Sequence, residues 1–262
     1  MPVDYDVAGS VATITLNAPE RRNALSPALL GDLTRHLQQA AADDRIRSVV
    51  LSHTGGTFCS GMDLNAVTER AAADQPIAAF PEVLQRIWEF DKPVIARVDG
   101  KARAGGIGLV AAADLAVASP AADFAFTEVR LGLVPAVISV PALPRLAPRA
   151  LLELSLTGET FDAARAAEIG LLSAVTERLD HELARYTAMF ELAEPAALAA
   201  TKRMLRRDRG GVSMAEDFAA MSELSARHFA SAEAAEGIAA FREKRRPRWA
   251  DRASRRGPSS PS

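Results

Sequence analysis

Residues 93–113 read PVIARVDGKARAGGIGLVAAA. Pro93 to Val98 is apolar and β-branched enough for a strand. GKARAGGIG (100–108) follows with four glycines, and Leu109 to Ala113 continues as an apolar helix. A strand, a Gly-rich turn and a helix in that order form the unit of an α/β fold with mostly parallel pairing.

The same rhythm extends in both directions. Val11 to Leu16 and Ile46 to Ser52 read as strands, and Leu115 to Ser119 and Asp123 to Thr127 as shorter ones. Ser26 is placed to cap a helix whose first residue is Pro27, with Leu29, Leu30, Leu33 and Leu37 at helical spacing. Helical stretches are expected around Ala66–Ala73, ending near Gln75-Pro76, and from Pro81 to about Glu89. From about Asp162 four consecutive segments read as helices. The organisation expected is a core over 1–194, a C-terminal helical region over 195–250 and a polar, Pro/Ser-rich disordered tail over 251–262.

The 262 residues allow one large domain, or a main domain with an appendage, that needs no staples. The formal net charge of -2 gives no global electrostatic case for nucleic acid. One cysteine, Cys59, excludes an internal disulfide and a Cys-rich metal site. The N-terminal segment lacks a basic stretch before an apolar one, so no signal peptide is expected. No apolar run reaches the roughly 18 residues of a membrane span, and a cytoplasmic location follows as the default.

Two Gly-containing loops each follow a strand: 55–64 (GGTFCSGMDL) and 100–108. In α/β sheets ligands sit beyond the carboxyl ends of strands, where such loops converge. The second loop leads into a helix whose first N–H groups are unpaired and attract negative charge. One N–H from each loop would form an oxyanion hole.

Six motifs in order carry a resemblance. They are Asn17-Ala-Pro-Glu-Arg-Arg-Asn23-Ala24-Leu25; Phe58-Cys59-Ser60-Gly61-Met62-Asp63-Leu64; Gly100 to Leu109 with Ala112-Ala113-Asp114-Leu115; and Phe126-Thr127-Glu128-Val129-Arg130-Leu131-Gly132-Leu133-Val134-Pro135. The last two are Gly158 to Ala163 with Ala167 to Leu172, and Glu236-Gly237 with Ala240-Phe241 and Glu243-Lys244-Arg245. Over about Val11 to Arg246 the chain resembles the enoyl-CoA hydratase/isomerase (crotonase) family.

The resemblance implies a spiral of strand-turn-helix repeats with two roughly perpendicular sheets and a C-terminal helical region, assembled as a homotrimer or hexamer. It assigns the Met62 and Gly105 N–H groups to a thioester carbonyl and the segment Ser60, Gly61, Asp63, Leu64, Asn65 to the bound acyl-CoA, with Gly106 beside it. Arg22 and Ala24 fall where the family cradles CoA, and Phe241 and Lys244 lie in its C-terminal helix, Lys244 towards the CoA phosphates. No metal or redox cofactor is implied; coenzyme A is the substrate's handle.

Glu128 aligns with a catalytic glutamate. Burial beside an enolate would raise its pKa; the alternative is a surface ion pair with Arg130. The chain departs from the best-known hydratases at Gly108, where they carry a second glutamate. That departure favours isomerisation, for which one carboxylate suffices. A Gly-Gly-Ile/Leu-Gly-Leu helix start and a Thr/Ser-Glu-Val-Arg/Lys segment also occur among branched-chain or isoprenoid hydratases, so the resemblance ranks hydration of a 2-enoyl-CoA first and double-bond isomerisation second. A non-catalytic acyl-CoA-binding relative and other enolate chemistry (hydrolysis, decarboxylation or lyase reactions) stay open. The acyl pocket is expected near Ala66–Phe90 and Val137–Leu143.

Other signals are weaker. Gly106-x-Gly108-x-x-Ala111 fits a dinucleotide fingerprint, but Asp99 to Gly105 separate it from the strand it should follow. Cys59 reads as a small buried hydrophobe, and the four histidines show no metal-ligand spacing. Asp63 and Asp114 read as loop or helix-end residues bonding backbone. The basic stretch 242–256 reads as a solvated tail.

Overall fold

The computed structural model describes residues 1–64, 79–206 and 213–250. Strands β1 (Val3–Ala8), β2 (Val11–Leu16), β3 (Ser48–His53), β5 (Val94–Val98), β7 (Leu115–Ala118) and β10 (Ala174–Val175) form a six-stranded sheet in the order β1-β2-β3-β5-β7-β10. From β2 onward the pairing is parallel. A second sheet of β4 (Thr57–Cys59), β6 (Lys101–Arg103), β8 (Asp123–Ala125) and β9 (Phe161–Asp162) has the order β4-β6-β8-β9.

The helices are α1 (Pro27–Ala42), α2 (Phe80–Glu89), α3 (Gly105–Ala112), α4 (Ala136–Ala142), α5 (Pro148–Thr157), α6 (Ala163–Glu168), α7 (Leu179–Leu192), α8 (Pro195–Arg206), α9 (Met214–Phe229) and α10 (Ala232–Arg242). The Ser26 hydroxyl accepts from the Leu29 N–H, so α1 starts as its sequence requires. Every residue of β3 is buried, as expected of a parallel strand covered on both faces. Every residue of α3 is buried too, which its all-apolar or glycine composition permits.

The α/β fold with a C-terminal helical region is as the sequence led one to expect. Four details differ. β1 pairs antiparallel with β2, a strand that its acid-containing sequence VDYDVA does not announce. β4 and β6 sit inside the two segments read as loops. Each is three residues long, too short for periodicity to register. Helix α3 begins at Gly105 rather than near Leu109. Helices α4 and α5 occupy a stretch to which the sequence reading assigned no element. The expected helix at 66–73 and the expected disordered tail at 251–262 lie outside the described residues. Among the described residues, no helix is long and apolar enough to cross a membrane.

Candidate active site

The segment before α1's cap meets the first Gly loop through the backbone. Ser60 N–H donates to the Arg22 carbonyl (3.1 Å), Leu25 N–H to Gly61 (2.8 Å) and Asp63 N–H to Leu25 (3.3 Å). Leu25 and Met62 are thereby paired as a parallel bridge. Asn23, fully buried, clasps this turn: its amide donates to the Thr54 and Thr57 carbonyls (3.0 and 2.8 Å) and its oxygen accepts from Ala18 N–H (2.8 Å). The sequence motif Asn17 to Leu25 thus acts through Asn23 as a structural anchor for the loop. Arg22 and Ala24 lie beside that loop, and the Arg22 side chain is exposed.

The second Gly loop abuts the first. A β-carbon on Gly61 would lie 3.6 Å from the Gly105 nitrogen and 3.0 Å from the Ala104 β-carbon. Gly106 backs onto the Cys59 carbonyl in the same way. Ala104 holds φ 47°, ψ -115°, a strained conformation for a residue with a side chain, immediately before α3. The N–H groups of Met62 and Gly105 have no protein acceptor among the described residues. Gly105 is the first residue of α3, so its N–H also carries the positive end of the helix dipole.

Both loops open onto a cavity of about 80 Å³. Ser60, Met62, Leu64, Phe80, Ala104 and Gly105 line its loop side; Thr127, Glu128, Leu131 and residues 133–138 line the other. Ser225 and Phe229 of α9 complete it. Glu128 opens a 3-10 turn (Glu128–Leu131) and is only 9% exposed. Its Oε2 is buried without a hydrogen-bond partner among the described residues. Burial pushes its carboxyl up to about 7, against a smaller opposing pull from its own backbone N–H. Arg130 does not pair with it; its Nε donates to the Thr157 carbonyl (3.4 Å).

At Gly108 a β-carbon would stand 2.8 Å from Ile138 Cγ2 and 3.4 Å from Leu84 Cδ1. A side chain there would have to displace Ile138, and Glu128 is the only carboxylate lining the cavity among the described residues.

The remaining expected site residues are placed as follows. Phe241 is exposed at the end of α10 and Lys244 just beyond it, and neither lines the cavity. The neighbouring Arg242 guanidinium donates to the Leu64 carbonyl, which brings that end of α10 to the first loop. Asp63 lies beside Arg21 (3.9 Å). Asn65 lies outside the described residues. Asp114 is structural: it accepts from Val94 N–H (2.7 Å) and pairs with Lys202 (2.7 Å) and Arg206 (2.9 Å). Cys59 is buried, its thiol pushed up to about 12, so it is no nucleophile. No His/Cys/Asp/Glu group able to hold a metal occurs among the described residues.

Of the expected pocket segments, Phe80, Val137 and Ile138 line the cavity. Ser225 and Phe229 were not foreseen. The helical pattern of α9 reveals an apolar face but not that it covers α4 and α2.

The sequence profile of enoyl-CoA hydratase/isomerase matches residues 6–252. The chain belongs to the enoyl-CoA hydratase/isomerase family. An enoyl-CoA hydratase from Mycobacterium avium of known structure is 43% identical, with a TM-score of 0.83 over 95% of this chain and 98% of that one. The 2,3-dehydroadipyl-CoA hydratase of Escherichia coli K12 is 34% identical over 90% of this chain and 94% of its own. Methylmalonyl-CoA decarboxylase, solved with 2S-carboxypropyl-CoA, is 26% identical with a TM-score of 0.81, over 94% and 97% of the two chains. The hydratase/isomerase fold therefore spans nearly the whole chain, and an acyl-CoA substrate accords with it.

Proposed function

We propose that the chain adds water to a 2-enoyl-CoA. The observation that carries this reading is the buried Glu128 carboxylate, whose Oε2 has no partner among the described residues and which opens onto the same cavity as two backbone N–H groups without an acceptor among them. The thioester carbonyl accepts from Met62 and Gly105 N–H, which draws electrons from C3. Glu128, deprotonated, takes a proton from water as its oxygen attacks C3. The electron pair moves onto the thioester oxygen as an enolate, which the two N–H groups stabilise. The proton that Glu128 took from water is then delivered to C2, which completes the addition and restores the carboxylate. Leu64 and Ser60 flank the thioester, and Arg22, Ala24, Phe241 and Lys244 serve the CoA portion. The family names of the Mycobacterium avium and Escherichia coli relatives support hydration.

The filled space at Gly108 favours a second reading, double-bond isomerisation. There one carboxylate suffices: it removes a proton from C2 of a 3-enoyl-CoA and returns it at C4 through a dienolate.

The test follows loss of enoyl-thioester absorbance with crotonyl-CoA, with Glu128→Gln as control. Turnover by wild type and a loss of at least about a hundredfold in the variant supports hydration. An inert wild type that converts a 3-enoyl-CoA makes the chain an isomerase.

We also propose assembly as a trimer or hexamer. Leu152 and Leu156, one helical turn apart on α5, are 59% and 67% exposed and would be covered. A stable monomer in a solution mass measurement overturns this.

A further inference from the structure

The cavity wall contains a polar group that the proposed hydration does not use. Ser225 lies in the fourth turn of α9 and is only 6% exposed. Its hydroxyl has no hydrogen-bond partner among the described residues. Serines in helices ordinarily satisfy themselves by donating to a carbonyl one turn back. Ser222, on the same helix, does so to Phe218 (2.6 Å), and Ser139 of the facing helix α4 does so to Ala136 (2.6 Å). Ser225 does not, and it lines the cavity instead. Ser225 Oγ is not one of the fully buried atoms left without a partner, so it faces the cavity space; a ligand that fills that space must offer it a hydrogen bond or leave it unpaired at a cost of about 1–3 kcal/mol.

The position of Ser225 identifies what it meets. Met62, Gly105 and Glu128 define the reacting end. Ser225 comes from α9, the helix that packs over α4, whose Ala136, Val137 and Ile138 form part of the apolar wall. That wall is left for the acyl chain beyond the reacting carbons. Among the described residues lining the cavity, Glu128 is the only charged one. Against the described lining a distal carboxylate meets no cation and loses its hydration. A neutral group that hydrogen-bonds loses far less and gains the serine.

We propose that Ser225 is a specificity-determining residue that selects an acyl group bearing a neutral polar substituent, a hydroxyl or a ketone, over a plain alkyl chain. This rests on the acyl-CoA reading above and deepens it.

The test is equilibrium binding by calorimetry, which needs no turnover. Saturated ω-hydroxyacyl-CoA thioesters of increasing length are each compared with the alkyl thioester of equal length and with the ω-carboxyl thioester. The expected result is one chain length at which the hydroxyl ligand binds about tenfold tighter than the alkyl one, with the carboxyl ligand weakest. Ser225→Ala, which keeps a good helix former, is expected to abolish that preference and leave alkyl binding equal or tighter. Alkyl preference at every length, tightest binding of the carboxyl ligand, or an unchanged preference in Ser225→Ala overturns the role of Ser225 and leaves the acyl-CoA reading standing. If no thioester binds at all, the acyl-CoA reading itself falls, and the role of Ser225 with it.

Discussion

Gly237 of α10 rests directly on the backbone of Leu131: a β-carbon there would stand 2.5 Å from the Leu131 carbonyl carbon and 2.9 Å from its Cα. Leu131 closes the 3-10 turn that Glu128 opens. The last helix therefore seats the turn that carries the carboxylate, through a contact only glycine allows. Alanine is the better helix former by about 1 kcal/mol, but the backbone it would strike cannot rotate away. Gly237→Ala is expected to lose about 1–3 kcal/mol of stability in urea denaturation. It is also expected to lower kcat about tenfold or more as the Glu128 turn shifts. An alanine variant as stable and active as wild type would show the contact relaxes freely.

Glu128 links activity and stability to the same proton. In the proposed hydration it is the general base and must be ionised, so kcat/KM is expected to rise with pH through about 7. Its folded pKa is raised above the ordinary value of 4.5, because burial disfavours the charge. The folded state therefore holds the proton more tightly. The contribution to stability is full below about 4.5 and declines as pH rises through 7. Glu128→Gln cannot ionise and escapes that decline, which is worth on the order of 3 kcal/mol. Comparing Tm of both proteins at pH 5 and pH 8 checks this: the variant's advantage should appear only at the higher pH.

These arguments draw on features that were legible to different degrees in the sequence. The alternation of Val11 to Leu16 and the Ser26-Pro27 start of α1 are local signals, and local structure obeyed them. The Gly loops and Glu128 were legible through motif order, since backbone N–H groups leave no signature of their own. Strands β4 and β6 were not legible, because three residues paired in a second sheet follow from tertiary contacts. The same holds for Ser225 and for Ile138 facing Gly108: sequence separation hides which helices face each other. Around Trp88, Arg145 and Arg206 stack from distant positions, 5.0 and 4.1 Å from the ring centroid.

That cluster yields a third prediction. Asp114 is the anion for Lys202 and Arg206, and all three side chains are 11–14% exposed. Arg145 and Arg206 also donate to the Ala111, Ala112 and Ala113 carbonyls, at the C-terminal end of α3. Asp114→Asn leaves the cations buried without a counter-charge and should cost about 3 kcal/mol in urea denaturation at pH 7. Lys202 is already depressed to about 8, chiefly by burial and against the pull of Asp114. Without Asp114 it falls further. A lysine whose folded pKa is lowered gains stability as pH rises past that value, so the deficit of the variant should shrink at pH 9. An equal deficit at both pH values would exclude Lys202 as its source.

The last prediction concerns the space a second carboxylate would need. Gly108 faces Ile138, whose Cγ2 would lie 2.8 Å from an added β-carbon. Ile138 is β-branched, buried and stiff about its first torsion, so it cannot swing clear. Gly108→Ala in the wild-type background sets this clash against a helix-propensity gain of about 1 kcal/mol. A net loss of about 1–2 kcal/mol is expected. In an Ile138→Ala background the 2.8 Å clash is gone and only the 3.3 Å approach to the β-carbon of residue 138 remains, so the same substitution should be neutral or stabilise by up to about 1 kcal/mol. The coupling between the two positions, read from a double-mutant cycle in urea, should therefore be about 2 kcal/mol. Gly108 is one turn beyond Gly105 in α3, so the single variant should also weaken the oxyanion contact and lower kcat, and the double variant should recover part of that loss if displacement of α3 is the cause. Additive stabilities would mean that Ile138 yields to the methyl group, and that the missing glutamate is not a matter of room.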